Sequence, residues 1–403
     1  MILRKKYIDK IRPFIDKDLI KVLTGVRRSG KSVMLEQIQT ELKESKNIIE
    51  KNIITYNFEQ MKNAPLCNAD ELYKEIAKIV KNCEGKVYLF FDEIQEVDNW
   101  ERCVNSFRAD FDCDIYITGS NAKLLSGELA TYLAGRYVEF VIYPFSFAEF
   151  VELWNSEKKQ GELRDVFQSY IELGGMPYLG QLGFDKKSSQ KYLTDIYNSV
   201  VLKDIIKRNS VRDVALLEKI IAFALGNVGN VFSGRSVAAF LKNERRHISV
   251  DTVLNYLHYC ADACLLYQLS REEIGKGLLT TNEKYYVIDH GLREAVYGNN
   301  WRDINLVLEN IVCIEMLRRG YKLSVGKIGD REIDFVGVQS GKKIYIQVAY
   351  MLASEETIER EFGIYKEVKD NYPKYVVSLD EIDMSRDGIK HCNIREFLLM
   401  EDW

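Results

Sequence analysis

Gly25-Val26-Arg27-Arg28-Ser29-Gly30-Lys31-Ser32 fits G-x-x-x-x-G-K-[ST], and the reading of this chain starts there. Glycines let the backbone curl until its N–H groups face phosphate oxygens. The helix that follows adds its positive N-terminal end. In such a loop Lys31 reaches the β- and γ-phosphates of a nucleotide and the Ser32 hydroxyl ligates Mg²⁺. Upstream, Leu19 to Thr24 reads as a buried strand. Downstream, Val33 to Ile38 opens an amphipathic helix. Strand, loop and helix in this order predict binding of ATP with Mg²⁺, with Gly25 through Val33 as the cradle.

A second signal lies in Val87-Tyr88-Leu89-Phe90-Phe91-Asp92-Glu93. Apolar residues ending in two acids describe a buried parallel strand whose C-terminal end meets the ligand. Asp92 then holds Mg²⁺ through water and Glu93 acts as general base on the attacking water. The plainer alternative is a pair of acids capping the next helix. A third strand, Asp114 to Thr118, runs into Gly119-Ser120-Asn121. Ser120 and Asn121 compete for a γ-phosphate-sensing role, against a simple turn. Arg136, in Leu133-Ala134-Gly135-Arg136 before the apolar strand Tyr137 to Ile142, is either a surface charge or a finger that stabilises the transferring phosphoryl group. A finger is often supplied by a neighbouring subunit, which implies a homo-oligomer. With Asn52 to Phe58 as another strand, the alternation of strand and helix gives a parallel α/β sheet.

These motifs, with Tyr7-Ile8-Asp9-Lys10, Trp100 and Tyr143-Pro144-Phe145-Ser146-Phe147, resemble the prokaryotic AAA-type ATPases that carry a C-terminal domain of unknown function, DUF4143. The resemblance covers nearly the whole chain. It implies an AAA-like core, a winged-helix region and a C-terminal nuclease-like fold. The expected organisation is an AAA-like P-loop domain at 1–155, a helical lid at 156–215, a winged-helix-like region at 216–290 and a restriction-endonuclease-like α/β domain at 291–403.

Bulk composition sets limits. With 403 residues, 46% of them hydrophobic and 29% charged, the chain has ample material for several packed cores. A net charge of −4 argues against a generally sticky nucleic-acid binder. Eight cysteines without a C-x-x-C pair read as reduced thiols of a cytoplasmic protein. His258, Cys260 and Cys264 cluster in sequence, but His258 falls about 200° from Cys260 around a helix, which opposes a zinc site. No stretch approaches the ~20 apolar residues of a membrane span, and no apolar run follows the charged N-terminus as a secretion signal would require.

Residues 151–215 read as mainly helical, broken at Gly174-Gly175-Met176-Pro177, with Lys203, Lys207 and Arg208 near Asp204 as solvated or paired charges. Ser249 caps a helix from Val250 to Leu266, and Tyr285 to Ile288 forms a wing strand. That helix carries no Lys or Arg. Lys242, Arg245, Arg246 and Arg271 flank it, either as phosphate contacts that make DNA a possible partner without base readout or equally as a solvated surface.

The C-terminal region reads helix (Asp303–Arg319), three strands (321–328, 331–338, 343–348), helix, strand (374–379), the order of restriction-endonuclease-like folds. Such nucleases hold Mg²⁺ by a helix Glu, a strand Asp and the acid of a Glu-x-Lys. Glu309 and Asp334 fill the first two places, but the third reads Gln347-Val348-Ala349. The acid has become an amide and the lysine an alanine. The expectation is a degenerate site, with Asp334 a relic or an ion-pair partner of Arg331, against the alternative of an ATP-powered metal nuclease.

Overall fold

The computed structural model describes residues 2–120, 133, 135–158, 161–243, 248–274, 277–298 and 303–403, with the side chains of 158, 243 and 277–282 left aside. Asn121, Ala134, Arg245 and Arg246 lie outside the described residues. The chain divides into two units, 1–143 with 262–264, and 144–261 with 265–403.

The first unit is built on five parallel strands: β1 Ile20–Thr24, β2 Ile53–Asn57, β3 Val87–Asp92, β4 Cys113–Thr118 and β5 Tyr137–Val141. Their order is β2-β3-β4-β1-β5, and every pairing is parallel. All C-terminal strand ends therefore share one edge, and β1 delivers the glycine loop to it from between β4 and β5.

Alternation along the strands builds a core on each face. Val87, Leu89 and Phe91 of β3, with Ile115 and Ile117 of β4, pack against Leu72 and Ile76 of α3 (Ala69–Val80) and Val104 and Phe107 of α4 (Trp100–Asp110). Tyr88, Phe90 and Tyr116 point the other way, onto Tyr7, Ile8 and Ile11 of α1 (Lys5–Ile11) and Met34, Leu35 and Ile38 of α2 (Lys31–Lys46). Helices thus cover both faces of a sheet too apolar to meet water. Local signals agree with this layout. The Asn68 side chain accepts from the backbone N–H of Asp70 and Glu71 and so starts α3. Lys43 and Lys46 sit in the last turn of α2, where its dipole favours cations.

The second unit carries an eight-stranded sheet in the order β13-β12-β11-β10-β9-β7-β8-β6. Its strands are β6 Val231–Phe232, β7 Leu266–Glu273, β8 Gly277–Val287, β9 Lys322–Ile328, β10 Arg331–Gln339, β11 Lys342–Val348, β12 Lys374–Ser378 and β13 Lys390–Asn393. The helix Ile304–Arg319, strands β9 to β11, the helix Glu355–Gly363 and β12 follow in the expected order. Three strands were not foreseen. Sequence periodicity runs the helix from Val250 on to Leu266, but it ends at Asp262 and Leu266 begins β7. Cys264 takes φ 53, a left-handed turn that a non-glycine residue does not announce. The others are β6, which adds antiparallel to β8, and β13, which adds parallel to β12. Because β7 pairs parallel with β9, Arg271 opposite Val325, residues 216–290 and 291–403 contribute to one continuous sheet.

The Gly174-Gly175 break also has a steric cause. A Cβ on Gly174 would lie 2.2 Å from Asp289 Oδ1, and one on Gly175 2.2 Å from the Phe145 carbonyl oxygen. The Gly175 N–H donates to Asp289 Oδ2 at 2.7 Å.

Candidate nucleotide site

The glycine loop leaves β1 at Thr24 and enters α2 at Lys31. Gly25 has φ 139, and a Cβ there would stand 2.3 Å from the Ile142 carbonyl oxygen, so only glycine allows the loop to press on the end of β5. Gly30, at φ 98, opens α2. Lys31 is buried, its Nζ donating to the carbonyls of Gly25 at 3.0 Å and Val26 at 3.2 Å. The same Nζ lies 3.9 Å from Glu93 Oε1. Arg27 points away to pair with Glu59 at 3.0 Å.

The two acids at the tip of β3 have separate settings. Asp92 Oδ1 accepts from the Thr118 hydroxyl at 2.5 Å and Oδ2 from Asn57 Nδ2 at 2.7 Å. Ser32 also hydrogen-bonds this carboxylate. Burial raises the Asp92 pKa above the usual aspartate value and the Glu93 charge adds to the rise. The hydrogen bonds from Thr118 and Ser32 and the Lys31 charge oppose it. Glu93 holds φ 54, an uncommon conformation for a side chain of its size. Its N–H donates to Thr118 Oγ1 at 2.9 Å, and its carboxylate accepts from Gln95 Nε2. One threonine thus fixes both acids. It stands two residues before Ser120, which is itself buried.

This donor set suits a nucleoside triphosphate with Mg²⁺. The loop presents glycine backbone and a buried ammonium to phosphate. Ser29 Oγ is buried and has no hydrogen-bond partner among the described residues. Ser32 Oγ and the Asp92 carboxylate place hard oxygens side by side, as Mg²⁺ prefers.

Thr118 and Asn57 were missed from sequence because nothing in their local pattern marks them; each acts across neighbouring strands. Arg136 precedes β5, its carbonyl accepting from Ile20 N–H at 2.9 Å, and its guanidinium reaches Asn105 Oδ1 at 3.4 Å. It is exposed. Since β5 runs parallel to β1, Arg136 stands at the edge opposite the glycine loop, roughly 17 Å of strand away.

In the second unit, Glu309, Asp334 and Gln347 do converge. The Asp334 N–H donates to Gln347 Oε1 at 3.0 Å, and Asp334 Oδ2 accepts from Val348 N–H at 2.9 Å. The cation among them is Lys284 of β8. Its Nζ lies 3.2 Å from Glu309 Oε1, 3.7 Å from Glu332 Oε2 and 3.8 Å from Asp334 Oδ1. Tyr286 donates to Glu309 Oε1 at 2.6 Å. The expected Arg331–Asp334 pair is corrected: Arg331 bonds Glu367, because its position on β10 faces that residue. Burial lowers the Lys284 pKa, but Glu309, Asp334 and Glu332 outweigh it and hold the ammonium above its usual value. Burial pushes the Asp334 carboxyl up. No group of three or more His, Cys, Asp or Glu among the described residues is placed to hold a metal ion. Arg271, one of the candidate DNA contacts, is taken up by Glu332. No helix among the described residues is long and apolar enough to cross a membrane.

Comparison with known proteins agrees with this geometry in the first unit and amends the expectation for the rest. Residues 17–151 match an AAA domain family, AAA_14. Residues 164–303 match a domain of unknown function, DUF8612, which replaces the expected DUF4143. An uncharacterized protein of Haemophilus influenzae is 38% identical over 99% of both chains. The uncharacterized protein MJ1544 of Methanocaldococcus jannaschii is 33% identical over 87% of this chain and 79% of its own. Among solved structures, the Walker-type ATPase PABY2304 of Pyrococcus abyssi aligns with a TM-score of 0.51 and 14% identity, over 74% of this chain and 96% of that one; this is a likeness of fold. The chain belongs to the family of AAA-domain proteins that includes these Haemophilus and Methanocaldococcus relatives, with a P-loop ATPase fold joined to a DUF8612 region.

Proposed function

We propose that the chain binds ATP with Mg²⁺ and hydrolyses it at the glycine loop, and that turnover drives a rearrangement of the region from 144 onward. The observation that carries this reading is the meeting of Lys31, Ser32, Asp92, Glu93 and Thr118 at one sheet edge. Lys31 and the loop N–H groups hold the phosphates, while Ser32 and Asp92 hold Mg²⁺. The bound ion would neutralise charge on the phosphate oxygens. Glu93 orients a water and takes its proton as the water oxygen bonds the γ-phosphorus. The bond from the γ-phosphorus to the bridging oxygen breaks and its electrons leave with ADP. Ser120 and Asn121 follow Thr118 and are the further candidates to sense the γ-phosphate. Arg136, at the far edge of its own sheet, completes the site of a neighbouring copy. Titration calorimetry with ATP and Mg²⁺ tests the first step: wild type binds and Lys31→Ala loses affinity, whereas equal affinity removes the site from the loop.

A second reading has its own support. Lys31 and Gln95 both engage the Glu93 carboxylate, which keeps the base from water until phosphate draws Lys31 away. This favours a slow, nucleotide-gated module that presents its second unit to a protein or DNA partner. Partner affinity that is equal with ATP analogue and with ADP would count against it. The metal-nuclease reading has the least support, because an ammonium already serves the carboxylates of the Glu309–Asp334 cluster.

A further inference from the structure

Arg4 is a charged residue that the reading of the site leaves unused. It is 2% exposed, far from the ordinary fate of an arginine near a chain end. The arrangement around it is built. Its guanidinium lies 4.4 Å from the Tyr7 ring centroid. Its backbone N–H donates to Gln37 Oε1 at 3.0 Å, and Gln37 Nε2 donates to the Ile2 carbonyl at 2.7 Å. Gln37 belongs to α2, so the helix that follows the glycine loop straps the segment that carries Arg4. The Tyr7 hydroxyl accepts from Tyr143 N–H at 3.1 Å, which fixes the ring beneath the guanidinium.

The guanidinium reaches the glycine loop. Arg4 Nη1 donates to the Ser29 carbonyl oxygen at 3.3 Å. Ser29 C=O and Gly30 N–H belong to one planar trans peptide, so they point in opposite directions. A donor that holds the carbonyl on the Arg4 side turns the Gly30 N–H to the side away from Arg4. Gly30, at φ 98, has the conformational freedom to flip this peptide if nothing holds it.

We propose that Arg4 is a positioning residue for the phosphate cradle: it pins the Ser29–Gly30 peptide so that the Gly30 N–H is aimed at the phosphates of a bound nucleotide before the nucleotide arrives. This rests on the nucleotide-binding reading above and deepens it. A hydrogen bond to a charged group is worth about ten-fold or more in affinity, and the diphosphate of ADP uses the same cradle, so ATP and ADP suffer together.

The test is calorimetric binding of ADP and of a non-hydrolysable ATP analogue to full-length wild type, Arg4→Met and Arg4→Lys, with thermal midpoints and steady-state turnover for each. Methionine keeps the apolar stem and removes the donors. Lysine keeps the charge. Arg4→Met should lose about ten-fold in affinity for both nucleotides, and Arg4→Lys should recover part of the loss. KM should rise more than kcat falls. A merely structural role reduces the active fraction instead, lowering kcat and the midpoint while leaving Kd unmoved. Arg12→Gln, which breaks only the exposed pairs to Asp9 and Glu41, should match wild type. Wild-type affinity in Arg4→Met overturns the proposal, as does wild-type affinity in Arg4→Leu, which also lacks the donors, should the methionine variant not fold. Absence of nucleotide binding by wild type is a different result, and it removes the site itself.

Discussion

Replacing Lys284 by methionine should cost the second unit much of its stability. The ammonium is 6% exposed and faces carboxylates at 3.2, 3.7 and 3.8 Å. At an effective dielectric near 20, an ion pair at 3.2 Å attracts by about 5 kcal/mol. Desolvation of the ammonium offsets part of that in the intact protein, but its removal leaves Glu309 and Asp334 buried with no compensating charge. Breaking a buried pair in this way costs roughly 3–5 kcal/mol. For a unit of this size each kcal/mol moves the midpoint by about 2–4 °C, so Lys284→Met should unfold roughly 6–20 °C earlier. Differential scanning calorimetry without nucleotide reads this directly. Adding Glu309→Gln should recover at least half of the loss, since the amide removes the nearest stranded charge and still accepts the Tyr286 hydroxyl. A midpoint within a degree of wild type, or a double variant no better than the single one, would refute the claim that Lys284 is the counter-ion of this cluster.

Three further outcomes follow from the geometry. Arg136→Ala should keep ATP affinity and lower kcat about a thousand-fold, and mixing it with Lys31→Ala should restore turnover, because the intact loop and the intact arginine then meet between copies; failure to restore, measured by phosphate release, excludes action in trans. Thr118→Val strands Asp92 Oδ1 and the Glu93 N–H, so kcat/KM should drop about ten- to a hundred-fold with metal-free ADP binding unchanged. The third concerns pH. His290 donates from Nε2 to the Tyr170 carbonyl at 2.6 Å, and burial holds its pKa below the ordinary 6.5, with Asp289 opposing and Arg318 and Arg293 reinforcing the fall. The folded state then binds fewer protons than the unfolded chain, so this part of the stability is present above 6.5 and is lost as pH falls through the folded value. His290→Gln should flatten the decline of the thermal midpoint below pH 6.5, and an unchanged slope would contradict the assignment.

The glycine loop and the Asp92-Glu93 tip were legible because their chemistry binds residues to fixed sequence positions. A strand must end where the loop begins, and acids must follow an apolar run that cannot tolerate them earlier. The strand order was not legible, since parallel pairing of β1 with both β4 and β5 is settled by packing on both faces. Thr118 could be seen only as the end of a strand; its bonds to Asp92 and Glu93 exist because β3 and β4 are neighbours. Lys284 escaped because the E-x-K pattern looks for its lysine two residues after an acid, while this one comes from β8 and reaches the cluster across the sheet. Arg4 gave no motif at all. Its role is spatial, through a carbonyl that any residue at position 29 would supply.

The central claim is hydrolysis of ATP at the loop, with Glu93 activating water. Phosphate release under saturating ATP and Mg²⁺, compared among wild type, Lys31→Ala and Glu93→Gln, tests it most directly. Steady turnover by wild type, none by either variant, and ATP still bound by Glu93→Gln is the predicted result; equal release from all three would contradict the account.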